Sequence, residues 1–172
     1  MKPTAAFQGE LVAYSELAAV EYFDREVTVV PKATFAQVFD AVGTGEVDYG
    51  VIPIENSLTG SIHDNYDLLL SRDLVITGEI KLRIIHNLIV NPGTRMEDIR
   101  RVYSHPQALS QCKDFLLSLD GVDLVSVYDT AGAARKVRDD GRTDEAAVAA
   151  EQAALDYGLV ILKSGIESNH KN

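Results

Sequence analysis

The sequence predicts an α/β fold made of two lobes with a ligand cleft between them. Two observations carry that reading. Short apolar runs alternate with helical segments, which argues for mostly parallel sheets. Four of those runs end in a cluster of small polar residues that then opens a helix: Ala5-Ala6-Phe7 into Gly9-Glu10 and Ala13-Tyr14-Ser15-Glu16, Val51-Ile52-Pro53-Ile54 into Glu55-Asn56-Ser57, Val102-Tyr103 into Ser104-His105-Pro106-Gln107, and Val125-Ser126-Val127-Tyr128 into Asp129-Thr130-Ala131. In open α/β sheets ligands bind beyond the carboxyl ends of the strands, where unpaired N–H groups and helix dipoles attract anions. Four such corners, rich in hydroxyls and amides, read as a pocket for a small carboxylate-bearing molecule.

In chain order the pattern gives strand 4–7, helix 13–23, strand 27–31, helix 34–42, strand 48–54, helix 61–70 and strand 74–82. It continues with strand 84–90, strand 101–104, helix 106–118, strand 123–127, helix 129–138, strand 146–149, helix 150–157 and strand 159–163. In helix 106–118, Leu109, Cys112 and Leu116 make an apolar stripe with Leu117 beside it, and Pro106 suits a first helical turn. Gly158 after Tyr157 reads as a helix stop. The long apolar segment 74–90 can cross from one lobe to the other, the turn at Asn91-Pro92-Gly93 leads into a second α/β unit, and the last strand can return the chain. The expected division is therefore 1–78 plus 163–172 for the first lobe and 79–162 for the second.

Composition narrows the function. With 172 residues, 46% of them hydrophobic and 24% charged, the chain is long enough for a real core. A net charge of −10 and the lack of a basic stripe argue against nucleic-acid binding, so an anionic ligand needs local donors such as the helix corners. The single cysteine, Cys112, excludes an internal disulfide and suits a reducing cytoplasm; on an apolar stripe it reads as a buried structural thiol. No signal peptide is visible, and no apolar run approaches the roughly 20 residues of a membrane span. His63, His86, His105 and His170 have no metal-ligand spacing, and there is no G-x-S-x-G elbow, P-loop or G-x-G-x-x-G.

Each polar cluster supports a chemical and a local structural reading. Asn56 and Ser57 can hydrogen-bond a carboxylate or hydroxyl and Glu55 can act as a base or hold a loop, yet Asn and Ser are also turn formers. His105 can exchange protons near neutral pH, but His105 or Ser104 can equally cap the helix behind Pro106. Asp129-Thr130-Ala131 is first an N-cap, whose hydroxyl matters if it faces a ligand.

Taken together the stretches resemble the prephenate dehydratase family. The matching residues are Phe7-Gln8-Gly9-Glu10 with Ala13-Tyr14-Ser15, Val51 to Ser57 with Gly60-Ser61-Ile62, Ser104 to Leu109 with Gln111-Cys112, Tyr128-Asp129-Thr130-Ala131, and Ala153 to Leu162 with Tyr157-Gly158-Leu159. The resemblance runs over essentially the whole chain in the expected order. It implies a fold similar to type II periplasmic binding proteins and the conversion of prephenate to phenylpyruvate on the route to phenylalanine. It implies no metal or organic cofactor, a cytoplasmic homodimer, and a small-molecule substrate as the partner, with no nucleic acid or membrane. The expected site places Thr130, Ser104, Glu55 and His105 at the chemistry and Asn56, Ser57, Gln107 and Ser15 on the substrate, with Glu55 and His105 able to act by orienting the site. Arogenate dehydratase and a non-catalytic carboxylate-binding module are the rival readings.

Two departures stand out. The family usually has Gly where this chain has Val12, after Leu11, and a β-branched residue adopts φ > 0 poorly, so the first corner is expected to be reshaped. The family's Thr-Arg-Phe motif, whose Thr is usually assigned the proton-donor role, falls just after the point where this sequence stops at His170-Lys171-Asn172, as does the regulatory ACT domain. The resemblance thus implies either a shortened chain or a homologue without the acid, and the reading frame beyond Asn172 discriminates.

Overall fold

The computed structural model describes residues 2–58 and 60–169. They fall into two compact units that divide between Arg83 and Ile84. The expected first lobe thus gains 79–83, and the return of the chain is corrected. Lys163 and Ser164 pair with Leu88 and Asn87 of the second unit, and the Ile166 N–H donates to the His86 carbonyl at 3.0 Å, so 163–169 stay in that unit. Residues 170–172 lie outside the described ones.

In the first unit, β1 (Thr4–Gln8) is central, flanked in parallel by β2 (Thr28–Lys32) and β3 (Tyr49–Val51). Ala5, Ala6 and Phe7 are fully buried, as a continuous apolar run demands of a strand covered on both faces. The crossover helices are α1 (Tyr14–Tyr22) and α2 (Phe35–Gly43). Thr34 and Gln37 close a capping box at the start of α2, and Val38 and Ala41 pack its inner face on Ala6 with Val47. Beyond β3 the chain forms a small antiparallel hairpin, β4 (Glu55–Asn56) with β5 (Gly60–Ser61), and then α3 (His63–Ser71). The strand expected at 74–82 is absent: 73–86 carry no strand, because apolar alternation becomes a strand only where a ladder partner lies alongside.

The second unit holds a five-stranded sheet in the order β10-β6-β9-β7-β8. β7 (Arg101–Ser104), β8 (Asp123–Ser126) and β9 (Glu145–Ala149) are parallel, while β6 (Asn87–Val90) runs antiparallel to both β9 and β10 (Val160–Ser164). Helix α6 (Thr130–Asp140) leads from the edge strand β8 to the central β9, and α7 (Glu151–Tyr157) from β9 to the other edge strand, β10. All five residues of β9 are buried, and its alanines face an equally small stripe, Ala131, Ala133 and Ala134 on α6, so helix and sheet approach closely. The single helix expected at 106–118 is two short ones, α4 (Pro106–Gln111) and α5 (Lys113–Leu117), broken at Cys112. Leu109, Cys112 and Leu116 are buried as the stripe predicts, but Leu117 points to solvent. Gly158 ends α7 at φ 66°, a left-handed conformation that costs glycine least.

Candidate active site

Each unit brings two of the four corners to the carboxyl ends of its strands. In the first unit the corner after β1 keeps a left-handed residue where the resemblance expects one: Val12 sits at φ 69°. The β-branched valine thus takes up the left-handed conformation that it adopts poorly, and carries the strain of it. Its N–H donates to the Glu16 carboxylate, which therefore already occupies the N-terminal end of α1. Ser15 is half-buried in the first turn of α1, and its hydroxyl has no hydrogen-bond partner among the described residues.

The corner after β3 is the hairpin, not a direct strand-to-helix turn. The Asn56 Oδ1 accepts the Leu58 N–H at 3.0 Å, so the turn-forming reading holds for that oxygen and the amide is fixed in one orientation. Glu55 and Ser57 are exposed on the same short hairpin. The Ile62 N–H donates to the Ile54 carbonyl at 2.9 Å and closes the base of the loop.

In the second unit the two corners lie side by side, since Ser104 pairs with Ser126 and the Val127 N–H donates to the Ser104 carbonyl at 2.9 Å. Ser104 itself is 0% exposed, and its hydroxyl donates to the Val148 carbonyl at 2.7 Å. The expectation that Ser104 contacts a ligand is corrected: it ties β7 to β9 and positions the corner from behind. His105 is the N-cap of α4, with its Nδ1 accepting the Gln107 N–H at 3.2 Å, so the capping reading holds. Gln107 is half-buried one residue past Pro106. Asp129 caps α6 by accepting the Gly132 N–H, and a Cβ at position 132 would lie 2.9 Å from its Oδ1, which is why glycine stands there. The half-buried Thr130 follows as the first residue of α6, and its hydroxyl has no hydrogen-bond partner among the described residues. Of the expected site hydroxyls, Ser15 and Thr130 therefore remain available to a ligand at helix starts, whereas Ser104 does not.

The buried His86 was not anticipated. The His86 Nε2 lies 2.8 Å from the Gln111 Oε1 at the end of α4, and the His86 N–H donates to the Glu167 carboxylate at 3.0 Å. Burial pulls the imidazole below its ordinary pKa, against the opposing pulls of the Gln111 oxygen and the Glu167 charge. Burial and, after it, the Glu167 charge push the adjacent Cys112 thiol up to about 12, so it stays a protonated structural thiol. Nothing in periodicity marks His86 or Glu167 as buried; only the pairing of β6 with β10 brings them together. Among the described residues no group of three or more His, Cys, Asp or Glu side chains could hold a metal, and no helix is long and apolar enough to cross a membrane.

This is an α/β protein with paired strand-end corners in each unit, built to present hydroxyls and amides at helix starts. The sequence profile described as prephenate dehydratase matches residues 5–172, and the chain belongs to the prephenate dehydratase family. It is 48% identical over 167 residues to arogenate dehydratase/prephenate dehydratase 2, chloroplastic, of Arabidopsis thaliana, covering 97% of this chain and 43% of the relative. The chain thus spans less than half the length of that relative. Among solved structures it is similar to a prephenate dehydratase of Arthrobacter aurescens in complex with L-Phe, with a TM-score of 0.90 and 28% identity over 98% of this chain and 57% of the other. It is also similar to a protein described as a novel type of quorum-quenching acylase, with a TM-score of 0.86 and 40% identity over 96% of this chain and 60% of the other.

Proposed function

We propose that the chain carries the catalytic part of a prephenate dehydratase, forming phenylpyruvate, carbon dioxide and water from prephenate. The family match over residues 5–172 carries this reading. Decarboxylation breaks the bond between the ring and its carboxylate, the released electron pair enters the ring, and the ring hydroxyl leaves as hydroxide that takes up a proton. Aromatisation supplies the driving force, so the protein has only to orient the substrate and donate to the leaving oxygen. In the first unit the substrate contacts are Asn56, Ser57 and Ser15, and in the second Gln107 and Thr130. Neutral donors at helix starts suit a substrate with two carboxylates in a chain of net charge −10. The Thr130 hydroxyl is the donor these residues offer the leaving oxygen, while Glu55 orients the hairpin and Ser104 and His105 hold the second unit's corner.

Arogenate, which carries an amino group on the side chain, is the second substrate reading, favoured by the Arabidopsis relative named for both activities. Amide hydrolysis by a Ser–His pair gains no support from the geometry, because the Ser104 hydroxyl is bonded to Val148 and the His105 Nδ1 to the Gln107 N–H. The proposal includes a homodimer and a reducing compartment, the cytoplasm or, as for the Arabidopsis relative, the chloroplast. Sedimentation over a range of concentrations tests the dimer, and a monomer throughout the micromolar range overturns it.

The deciding measurement is phenylpyruvate release from prephenate beside phenylalanine release from arogenate. It is made with this chain and with the chain carrying a Thr-Arg-Phe continuation. Turnover of prephenate by either form supports the proposal; failure of both forms to bind or convert either compound overturns it.

A further inference from the structure

We propose that Asn65 is the positioning residue of the Glu55–Asn56–Ser57 hairpin, a role that rests on the reading of that hairpin as a substrate contact. Asn65 is the third residue of α3 and is 0% exposed, an unusual place for a primary amide. Its Nδ2 donates to the Pro53 carbonyl at 2.8 Å, while its buried Oδ1 has no hydrogen-bond partner among the described residues. A buried amide satisfied only on its donor side is held at a cost that an apolar side chain of similar volume avoids, so the donor is what this position uses. The recipient is equally specific: Pro53 has no N–H, and its carbonyl is the one backbone group by which the strand leaving β3 can be held there.

The bonds around it form a continuous brace. Asn65 fixes Pro53, its own N–H donates to the Ile62 carbonyl at 3.1 Å, and the Ile62 N–H donates to the Ile54 carbonyl at 2.9 Å. Both feet of the loop, 53–54 and 62, are thereby anchored to the first turn of α3. Between them, among the described residues, lie the two ladder pairs Glu55 with Ser61 and Asn56 with Gly60, and a two-stranded ribbon of that size has little stability of its own. The direction in which Asn56 presents its amide is therefore set by a side chain that does not reach the ligand.

The test compares Asn65→Leu, which removes donor and acceptor at similar volume, with Asn65→Asp, which keeps the Oδ1 acceptor but sets a second oxygen against the Pro53 carbonyl. Asn65→Ala serves if either misfolds. Amide hydrogen exchange reads the brace without any substrate. The Leu58 and Ile62 amides should exchange about tenfold faster or more in both variants, with β1 and β2 unchanged. Unchanged protection at Leu58 and Ile62 in a folded variant overturns the proposal. Turnover of prephenate reads the consequence. Asn65→Leu should raise KM toward that of Asn56→Ala with a smaller change in kcat, and the double variant should be no worse than Asn56→Ala. Full additivity of the two substitutions overturns the positioning role. If Asn56→Ala leaves turnover and affinity at the parent level, the hairpin's functional reading fails instead, and hydrogen exchange alone judges the brace.

Discussion

At the scale of single residues, Val12 shows how a site tolerates a locally poor choice. A β-branched residue at φ 69° is strained by roughly 1–2 kcal/mol. Val12 keeps that conformation because the Glu16 carboxylate takes its N–H and its side chain is 5% exposed. In most positions Gly is less stable than Ala. Here the order should invert: Val12→Gly is expected to be more stable than Val12→Ala by about 1 kcal/mol in denaturant unfolding. The usual order, with Ala ahead, would show that the corner relaxes to negative φ. His86 makes a prediction about pH. Burial lowers its folded-state pKa below the ordinary 6.5, so the unfolded chain binds the proton more readily. Its contribution is fully present above that ordinary value and is lost as pH falls below it toward the folded-state pKa. The parent should lose stability between about pH 7 and pH 5 more steeply than His86→Gln, which has no titrating ring. Parallel pH profiles for the two proteins would refute the assignment.

At the scale of elements, the corner opening α6 separates a structural side chain from a functional one within two residues. Asp129 caps the helix and Gly132 leaves room for it. Asp129→Ala and Gly132→Ala should each lower stability by about 0.5–2 kcal/mol. Thr130→Ala removes a hydroxyl that bonds nothing among the described residues, so its thermal midpoint should stay near the parent's while prephenate turnover falls by about 10²-fold or more if the hydroxyl donates to the leaving oxygen. Parent-level activity in Thr130→Ala would return it to a plain helix start. The same corner shows what was legible in the sequence. The caps at Asp129 and His105, the buried stripe through Cys112 and the stop at Gly158 follow from local rules of spacing and backbone geometry, and all four hold. Three expectations failed where the outcome depends on partners distant in sequence. Segment 74–82 has the alternation of a strand but no ladder partner. Ser104 looks like a donor for a ligand until β9 brings the Val148 carbonyl to its hydroxyl. Residues 163–169 look like a return to the first unit until β10 pairs with β6. Asn65 escaped notice for the same reason, since no period in the sequence says that one helix-start amide turns inward.

At the scale of the whole molecule, the two units differ in what holds them together. Among the largest fully buried apolar side chains, only Phe7 and Val38 belong to the first unit, whereas Leu88, Ile89, Ile99, Leu116 and Val102 lie in the second. Each such burial contributes about 1.5–3 kcal/mol, so the second unit should have the higher local stability. Topology points the same way. β6 and β9 are interior strands buried at every position, while the first unit has one interior strand, β1, buried only at Ala5, Ala6 and Phe7 and lying between two partly exposed neighbours. Native-state amide exchange at low denaturant should therefore be slowest at Leu88, Ile89 and Val148 and about tenfold or more faster at Ala6 and Phe7, although all of these residues are fully buried. Because burial at the residue level is equal, a difference in rate reports the stability of the surrounding unit and not local access of water. The difference should shrink as denaturant rises and global unfolding takes over. Identical rates for the two sets from the lowest denaturant upward would mean that the units open as one cooperative block. The hairpin with Asn56 would then share the stability of the entire chain and not that of the smaller first unit.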